Sequence, residues 1–347
     1  MILRLAMIGF GNVGQEFARL LLSRRHWLLR SKGLDVEVVA ISTRTRGTLV
    51  SDRALDLEAV LKELEATGSL MGCPGARKDL SPLDVIDRTV ADMVIELTTL
   101  DIGSGRPAID HITRAIECGM DVVTANKGPV AFAYHELRAL ARSRGVRFRF
   151  EGTVMDGTPV FSLVEKTLPG CQVLGIRGIL NSTSNYVLTE MSRGRTAQDA
   201  IKEAQARGIA EADPSLDMDG WDAAAKITAL ANVLMEARKT PKDVDRTGVG
   251  DVSVQALADA KACGAKVKLV ASAAMEDGDV KLVVRPERVG PESPFWSVDG
   301  TSSAVTLKTD LMGDLTILEE GPALTQTAYA VFSDMLLAVE SIRSGTL

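Results

Sequence analysis

The sequence predicts an α/β protein built from two domains. In the first 147 residues, short apolar runs alternate with helical patterns, and a glycine-rich turn joins the first run to the first helix. Strands that alternate with helices in this way form a doubly wound parallel sheet of the Rossmann type. From residue 148 onward, strand patterns with alternating polar and apolar residues predominate, which predicts an α+β domain with a mostly antiparallel sheet. We expect residues 310–347 to complete the first domain, so that the second spans 148–309.

The composition excludes several functional classes. The chain has 347 residues, of which 46% are hydrophobic, and its formal net charge is −6. It has no long basic run, so we do not expect nucleic acid as a partner. The four cysteines are scattered and form no C-x-x-C pair, which is typical of a reducing cytoplasm and disfavours a zinc site. The apolar start is short and no uncharged stretch approaches a membrane span, so we expect a cytoplasmic protein that is neither exported nor inserted into a membrane.

The first glycine-rich turn predicts a dinucleotide site. It follows a short apolar strand, Leu3–Ile8, and precedes a helix that ends near Arg25. The first glycine of G-x-G-x-x-G permits a tight turn, the second lets backbone approach a pyrophosphate, and the third lets helix and strand pack closely. The N–H groups of the helix N-terminus then face the phosphates. The alternative is a turn that serves packing alone. The residues of the turn are Gly9, Phe10, Gly11, Asn12, Val13 and Gly14.

The end of the second predicted strand indicates which dinucleotide is bound. This strand, Val36–Ile41, is expected to end near the adenosine ribose. An NAD-selective protein usually places an acid there to bind the ribose 2′-hydroxyl. The sequence instead continues as Ser-Thr-Arg-Thr-Arg, with Arg44 at its centre. Hydroxyls and guanidiniums suit a 2′-phosphate, so we expect NADP in preference to NAD. Ordinary surface arginines are the alternative.

Two other strand ends are expected to face the cofactor. The strand Asp92–Leu97 ends at Thr98, and the strand Asp121–Thr124 is followed by a turn that contains Lys127. Ligands of a doubly wound sheet lie beyond the carboxyl ends of its strands, so both residues are candidate cofactor contacts. For Lys127 the alternative is a solvated loop lysine.

The remaining elements follow from the same periodicities. Further helices are predicted over about 52–66 and 107–118 in the first domain, and over about 159–167, 183–191, 196–207, 220–237 and 324–342 beyond it. Strands are predicted at 147–154, 171–180, 264–275, 279–287 and 304–309. The polar junction NSTSNY, between a strand and a helix, is expected at least to cap that helix.

One helix of the second domain carries a lysine in apolar surroundings. Lys226 is the only charged residue of the stretch AAAKITALANVLM, and the preceding segment GIAEADPSLDMDGWD has five acids. A buried ammonium is costly unless it is paired or used, and Asp222 shares its helical face four residues earlier. This pattern is typical of a site for a small charged substrate. A structural alternative has Asp219 capping the helix, Asp222 favouring its first turn and Lys226 reaching out to solvent.

An NADP site together with acids and lysines favours hydride transfer on a small zwitterionic molecule. Acids would hold its ammonium group, and lysines would hold its carboxylate or move a proton. A phosphorylating aldehyde dehydrogenase is disfavoured, because none of the four cysteines lies in a motif that would activate a thiol.

At this point the chain resembles homoserine dehydrogenase over nearly its whole length, in a short form without a C-terminal regulatory domain. The matching segments are GFGNVG, DVVTANKGPVA, EGTVMDGTP, GILNSTSNYVLTEM, ARGIAEADPSLDMDGWDAAAK and TAYAVFSDML. The resemblance implies NAD(P)-dependent oxidation of L-homoserine to L-aspartate 4-semialdehyde, and the reverse reduction, in threonine and methionine biosynthesis. It also implies a homodimer. The competing hypotheses are a related amino-alcohol or semialdehyde oxidoreductase and a catalytically silent NADP-binding sensor.

The resemblance also implies roles for individual residues. Lys226 takes the place of the proton donor, with Asp222 beside it, and Lys127 that of the lysine next to nicotinamide and substrate. The substrate-binding positions correspond to Glu211, Asp217, Asp222 and Thr183. Backbone next to the cofactor corresponds to Gly208 and Gly321. The oxygens that hold a structural sodium ion in relatives correspond to Glu151, Val154, Asp156 and Thr158.

The sequence departs from the family pattern in three places. The glycine-rich loop near the C-terminus is EEGPA here, so that Glu319 and Glu320 are expected near the cofactor. Ser182, Met155 and Asp156 stand where relatives often have glycine.

Overall fold

The computed structural model describes residues 1–344, and the chain divides into two compact units. Unit 1 comprises residues 1–157 and the chain from residue 323 onward, and unit 2 comprises residues 158–322. Each unit contains one six-stranded sheet. Within residues 1–344, no helix has both the length and the apolar character needed to cross a bilayer.

The sheet of unit 1 is parallel except at one edge. Its strands are β1 (Ile2–Ile8), β2 (Asp35–Ser42), β3 (Thr48–Val50), β4 (Met93–Glu96), β5 (Asp121–Thr124) and β6 (Phe148–Arg149). They lie in the order β3-β2-β1-β4-β5-β6, and only β3 pairs antiparallel, with β2. The helices that follow these strands are α1 (Asn12–Trp27), α2 (Leu57–Thr67), α3 (Pro82–Arg88), α4 (Ala108–Glu117) and α5 (Lys127–Arg144). The predicted doubly wound sheet is confirmed.

Both faces of this sheet are buried. Leu3, Leu5 and Met7 of β1 point into one apolar core, whereas Ala6 and Ile8 point into another on the opposite face. Successive side chains of a strand alternate between faces, so a strand with apolar side chains on both faces needs cover on both sides. Helices supply that cover and leave the strand ends as the place where a ligand can reach the sheet.

Two predicted elements of unit 1 differ from the structure. The helix predicted from residue 52 begins at Leu57, because the Asp56 carboxylate accepts the N–H of Ala59 at 3.1 Å and caps it. The segment 147–154 was predicted as a strand of the second domain's antiparallel sheet, which is wrong. Only Phe148–Arg149 is extended, and it pairs parallel with β5 before the chain turns into short 3-10 helices. The alternating RFRF pattern is too short to distinguish an edge strand of one sheet from a strand of another.

The sheet of unit 2 is antiparallel except at one edge, as predicted. Its strands are β7 (Val173–Ile179), β8 (Asp245–Arg246), β9 (Lys266–Glu276), β10 (Asp279–Val289), β11 (Ser303–Thr309) and β12 (Asp314–Glu319). They lie in the order β12-β11-β7-β9-β10-β8, and only the short β8 is parallel to its neighbour. The helices of this unit are α6 (Phe161–Thr167), α7 (Ser182–Ser192), α8 (Ala197–Ala206), α9 (Ser215–Met218), α10 (Trp221–Leu234) and α11 (Val254–Ala262). The final helix, α12 (Leu324–Ser344), packs against α1 in unit 1.

A buried lysine in unit 2 has a structural role. Lys268 of β9 is 1% exposed, and its ammonium donates to Asn185 Oδ1 at 3.0 Å, to the Val298 carbonyl at 2.5 Å and to Asp299 at 2.8 Å. Burial lowers the pKa of Lys268, and the hydrogen bond and charge of Asp299 oppose that shift. The amide of Asn185 in turn donates to the carbonyls of Val298 and Ser302. These bonds hold α7 to the chain that follows β10.

Candidate active site

The junction between β7 and α7 carries the polar groups around which the site of unit 2 forms. Asn181 caps α7, and its Oδ1 accepts the backbone N–H of Ser184 at 2.7 Å. The carbonyl of the preceding residue, Leu180, accepts a hydrogen bond from Lys226 Nζ at 2.7 Å. The capping role expected for this segment is therefore present, and the same turn also contacts α10.

Lys226 lies on α10 in a largely buried environment. Its side chain is 15% exposed, and Nζ is 3.0 Å from Asp222 Oδ2, one helical turn earlier. The helix is capped by Gly220 in the left-handed conformation, without a side-chain capping bond, so the alternative in which Asp219 caps it is wrong. An ammonium held by a carboxylate and a carbonyl inside the protein is positioned rather than solvated.

Asp217 and Asp222 come from different helices and share one hydrogen-bond donor. The Nδ2 atom of Asn181 is 2.7 Å from Asp217 Oδ1 and 2.9 Å from Asp222 Oδ2. Burial raises the pKa of Asp217, and the neighbouring charge of Asp222 raises it further, whereas hydrogen bonds from Asn181 and Thr183 and the charge of Lys226 lower it. The cluster holds two carboxylates and one ammonium, so it would stabilise an incoming cationic group such as an amine.

Hydrogen bonds and an ion pair join four of the predicted substrate-side residues into one cluster. Thr183 is 4% exposed and hydrogen-bonds both the Ile209 carbonyl, at 3.2 Å, and Asp217. It therefore belongs to the cluster formed by Lys226, Asp222 and Asp217. Glu211 lies on an exposed loop after α8, where its backbone carbonyl accepts from Gln205 at 3.1 Å. None of the contacts described for the cluster involves its carboxylate.

The glycine-rich turn of unit 1 is shaped to admit a ligand. Gly9 has φ +97°, and a Cβ there would lie 2.5 Å from the Leu97 carbonyl, so only glycine fits between β1 and the end of β4. A Cβ on Gly14 would lie 3.1 Å from the Gly9 oxygen, which shows how closely α1 approaches the turn. A Cβ on Gly11, by contrast, would meet no protein atom within 4 Å. Packing therefore does not require glycine at position 11, whereas the approach of a phosphate to the N-terminus of α1 would.

The turn residues between these glycines differ in exposure. Phe10 is buried at 2% and contributes to the core, Asn12 begins α1 at the surface, and Val13 is half-buried. The turn is thus held in the core by the Phe10 side chain, while Gly11 and Asn12 remain exposed.

The Arg44 side chain is presented by an ordered hairpin between β2 and β3. The hydroxyl of Thr43 donates to the Gly47 carbonyl at 2.7 Å and accepts the N–H of Arg46 at 2.9 Å. Arg44 itself is exposed. Arg44 therefore lies two residues beyond the end of β2, on the exposed part of the hairpin.

A buried carboxylate that sequence reasoning missed connects the ends of β4 and β5. Glu96, the last residue of β4, is 0% exposed and accepts hydrogen bonds from the N–H and hydroxyl of Thr98 and from the Thr124 hydroxyl, the last at 3.1 Å. Thr124 also accepts the N–H of Asn126 at 2.9 Å, and Asn126 donates to the Thr98 carbonyl at 3.0 Å. The two strand ends expected to face the cofactor therefore form one hydrogen-bonded unit.

This unit also fixes the start of the helix that carries Lys127. Asn126 caps α5 by accepting the N–H of Gly128 at 3.0 Å, and Lys127 is the half-buried first residue of the helix. The Nδ1 atom of His111 lies 3.6 Å from Oε1 of Glu96, the oxygen that also accepts from Thr98. An acid within an apolar strand was the available sequence signal, since such a group must be hydrogen-bonded.

Replacing Glu96 by glutamine is expected to weaken both folding and cofactor binding. The NH₂ group of the glutamine is a donor and would face the hydroxyl and N–H donors that now bind the carboxylate. We therefore expect a loss of about 1–3 kcal/mol in the free energy of unfolding and a roughly tenfold rise in the cofactor Kd. Denaturant unfolding and NADPH fluorescence titration measure the two effects. Asp92→Asn is the matched control, because Asp92 accepts one backbone N–H, from Arg4 at 2.7 Å, just before β4 begins. Native behaviour of the Glu96→Gln protein would contradict the argument.

The remaining predicted residues lie at the ends of elements. In unit 2, Gly208 follows α8 with φ +71°, and Gly321 follows β12 with φ +60°. Glu319, the last residue of β12, is 8% exposed, whereas Glu320 is exposed. Of the two acids expected near the cofactor, only Glu320 therefore presents its side chain to solvent.

The segment that corresponds to the sodium site of relatives forms two successive 3-10 turns. Glu151 lies in the first, Val154 follows it, Asp156 lies in the second, and Thr158 begins unit 2. Met155 and Asp156 have φ of +48° and +46°, so they adopt the left-handed conformation that glycine favours. These two positions thus adopt a glycine-like backbone, whereas Ser182 begins helix α7. The Asp156 carboxylate accepts the Thr327 hydroxyl at 3.0 Å.

Comparison with known proteins agrees with this arrangement. Residues 9–151 match the NAD-binding domain of homoserine dehydrogenase, and residues 159–336 match the homoserine dehydrogenase domain. The NAD(+)-dependent homoserine dehydrogenase of Pseudomonas canavaninivorans is 35% identical over 96% of this chain and 95% of its own. Homoserine dehydrogenase of Methanocaldococcus jannaschii is 38% identical over 95% of this chain and 96% of its own.

A solved structure supports the same relationship. A hyperthermophilic archaeal homoserine dehydrogenase in complex with NADPH superposes with a TM-score of 0.83 at 29% identity, and the match covers 98% of each chain. The sequence segments, the glycine-rich turn and the cluster around Lys226 thus agree with one family. The chain belongs to the homoserine dehydrogenases, which are NAD(P)-dependent oxidoreductases.

Proposed function

We propose that this protein oxidises L-homoserine to L-aspartate 4-semialdehyde with NADP⁺ and catalyses the reverse reduction, in threonine and methionine biosynthesis. The observation that supports this reaction most strongly is the buried Lys226–Asp222 pair, 3.0 Å apart, next to the acid Asp217. A substrate with one ammonium group and one alcohol uses both features, because the acids hold the ammonium and the lysine exchanges a proton with the alcohol oxygen. NAD(P)⁺, when bound, accepts the hydride.

The proposed roles follow from the contacts of each residue. Lys226 exchanges the proton on the substrate oxygen, and Asp222 and the Leu180 carbonyl hold its ammonium in place. Asp217 and Thr183 bind the polar end of the substrate, with Glu211 as a further acid on the adjoining loop. Lys127, at the start of α5, stabilises negative charge that develops on the substrate. Backbone at Gly11 and the N-terminus of α1 hold the pyrophosphate, with Thr98, Gly208 and Gly321 as further cofactor contacts.

The assay that tests this proposal follows nicotinamide reduction by the purified protein. We expect turnover with L-homoserine and none with amino alcohols that lack the carboxylate or differ in chain length. If the protein oxidises another amino alcohol but not L-homoserine, that amino alcohol is the substrate instead. Binding of NADPH with no turnover of any candidate would identify a cofactor sensor instead.

The preference for NADP is proposed from the chemistry of the hairpin after β2. Ser42, Thr43 and Arg44 offer hydroxyls and a guanidinium but no carboxylate at the end of that strand. We expect Arg44→Ala to raise the Kd for NADPH by about 10- to 100-fold and to change the Kd for NADH little, because a charge-assisted bond to the 2′-phosphate is lost. Arg53→Ala, which removes another exposed arginine in the loop after β3, is the control. Equal losses for both cofactors would contradict the assignment.

Three further properties concern a bound ion, the oligomeric state and the location of the protein. We propose a structural sodium ion held by oxygens of Glu151, Val154, Asp156 and Thr158, because the left-handed turn is retained there; the same assay in sodium and in choline salts tests it. We propose a homodimer, since the sheet of unit 2 leaves apolar side chains such as Leu174, Met275 and Leu318 more than 40% exposed. We propose that the protein is cytoplasmic, in keeping with its four free cysteines.

A further inference from the structure

Asn181 occupies a special place in the cluster of unit 2. Asn181 is 5% exposed. The two acids that its amide contacts, Asp217 and Asp222, are 36 and 41 residues away along the chain. The orientation of the amide is fixed by chemistry, because Oδ1 faces the N–H of Ser184, which can only donate, and the NH₂ group faces two carboxylates, which accept. Both polar atoms of the Asn181 side chain are therefore engaged in hydrogen bonds.

The amide of Asn181 lies between two carboxylates that repel each other. Two carboxylates that lie within 3 Å of one nitrogen repel each other, and such a pair favours binding a proton on one member. Lys226 neutralises part of the charge from the side of Asp222. The guanidinium of Arg246 stacks on the Trp221 ring and donates to the Asp219 carbonyl. The N–H groups of Asn181 are thus the donors shared by both acids.

We propose that Asn181 is a positioning residue that holds Asp217 and Asp222 together in the ionised state, so that the two carboxylates bind the substrate ammonium as a pair. This inference rests on the proposed function, since it requires a substrate with an amino group. It goes beyond helix capping, because a cap needs only the acceptor Oδ1, whereas the acids need the donor Nδ2. The two roles can therefore be separated by substitution.

Asn181→Asp separates them. The carboxylate has the same shape and keeps the capping acceptor, but it removes both N–H donors and adds a third negative charge. We expect the KM for L-homoserine to rise by on the order of 10- to 100-fold, with a smaller change in kcat. We also expect the acid limb of the kcat/KM profile to move up by about one pH unit, because the crowded carboxyls hold protons more tightly.

Asn185→Asp is the matched control. It makes the same change one turn further along α7, where the amide donates to the carbonyls of Val298 and Ser302 at 3.1 and 3.0 Å. We expect it to alter thermal stability and to leave the acid limb in place. An Asn181→Asp enzyme with native KM and a native acid limb would overturn the proposal, and so would an equal movement of the limb in Asn185→Asp. If Asn181→Asp is insoluble, Asn181→Ser keeps a cap and one donor, and we expect it to show a smaller shift in the same direction.

Failure of this inference can be distinguished from failure of the proposed function. If the native protein does not turn over L-homoserine, the proposed function fails, and thermal unfolding between about pH 4 and about pH 8 still tests the position of the acids. Carboxyls with raised pKa make the folded state less stable as pH rises. We therefore expect Asn181→Asp to lose more stability over this range than Asn185→Asp, and equal slopes would overturn the proposal.

Discussion

Replacing Lys226 by alanine is expected to lower kcat by about 10²- to 10⁴-fold, because proton exchange with the substrate oxygen loses its positioned group. The Kd for the cofactor is expected to stay near its native value, since the turn proposed to bind the nucleotide belongs to unit 1 and Lys226 to unit 2. Steady-state kinetics with L-homoserine and NADPH fluorescence titration measure the two quantities. A small primary amine added to the Lys226→Ala protein is expected to restore part of the activity, because it can carry the missing proton.

The control for this variant is another lysine paired with an acid. Lys239 lies soon after α10, is 22% exposed at its side chain and contacts Asp279 at 2.7 Å. Lys239→Ala is expected to keep a kcat within a few-fold of native. Lys239 lies beyond the C-terminal end of α10, whereas Asp222 and Lys226 lie in its first two turns, and a partly exposed ion pair contributes little to stability. A Lys226→Ala enzyme with near-native turnover would remove Lys226 from the proton-transfer role.

The parts of the site that the sequence predicts correctly are local in the chain. Gly9 to Gly14 act within one turn between β1 and α1, and the spacing of G-x-G-x-x-G describes that turn directly. The pairing of Asp222 with Lys226 is equally local, because residues four apart share a helical face. Such features depend on backbone geometry that a few neighbouring residues determine.

The parts that the sequence does not predict join distant segments. Asn181 resembles an ordinary cap until α9 and α10 bring two acids to its amide. Glu96 and Thr124 are 28 residues apart and meet only because β4 and β5 are neighbours in the sheet. The misplaced strand at 147–154 has the same cause, since two extended residues at a sheet edge follow from their neighbour β5 rather than from their own pattern.

Asp217→Asn is expected to weaken the enzyme and stabilise the protein at the same time. Asp217 accepts from Asn181 and Thr183 beside Asp222, so an amide there removes one of the two negative charges that attract an ammonium group. We expect kcat/KM for L-homoserine to fall by about 10- to 100-fold, mainly through KM. Steady-state kinetics over a range of pH provide the measurement.

The effect on stability follows from the direction of the pKa shift. The pKa of Asp217 is raised by burial and by the charge of Asp222, so the folded state binds the proton more tightly than the unfolded chain does. Below the ordinary carboxyl pKa, Asp217 is protonated in both states and the shift does not change the free energy of unfolding. As pH rises from that pKa through the raised pKa of the folded state, ionisation of Asp217 lowers the free energy of unfolding, and this is the cost of the buried charge. Asparagine avoids this cost. We expect the Tm of Asp217→Asn to exceed the native value by a few degrees at about pH 7 and to approach it at about pH 4.

The matched control is Asp213→Asn, in the same acidic segment. Asp213 is exposed, and hydrogen bonds from the N–H and side chain of Ser215 lower its pKa, so its ionised form favours the folded state. Its substitution is expected to shift stability in the opposite direction as pH rises, with little change in KM. A lower Tm for Asp217→Asn than for the native protein at neutral pH would show that its hydrogen bonds outweigh the electrostatic cost. A gain in Tm together with a loss of substrate affinity would instead show that the acids of this site are kept for binding, at the expense of folding stability.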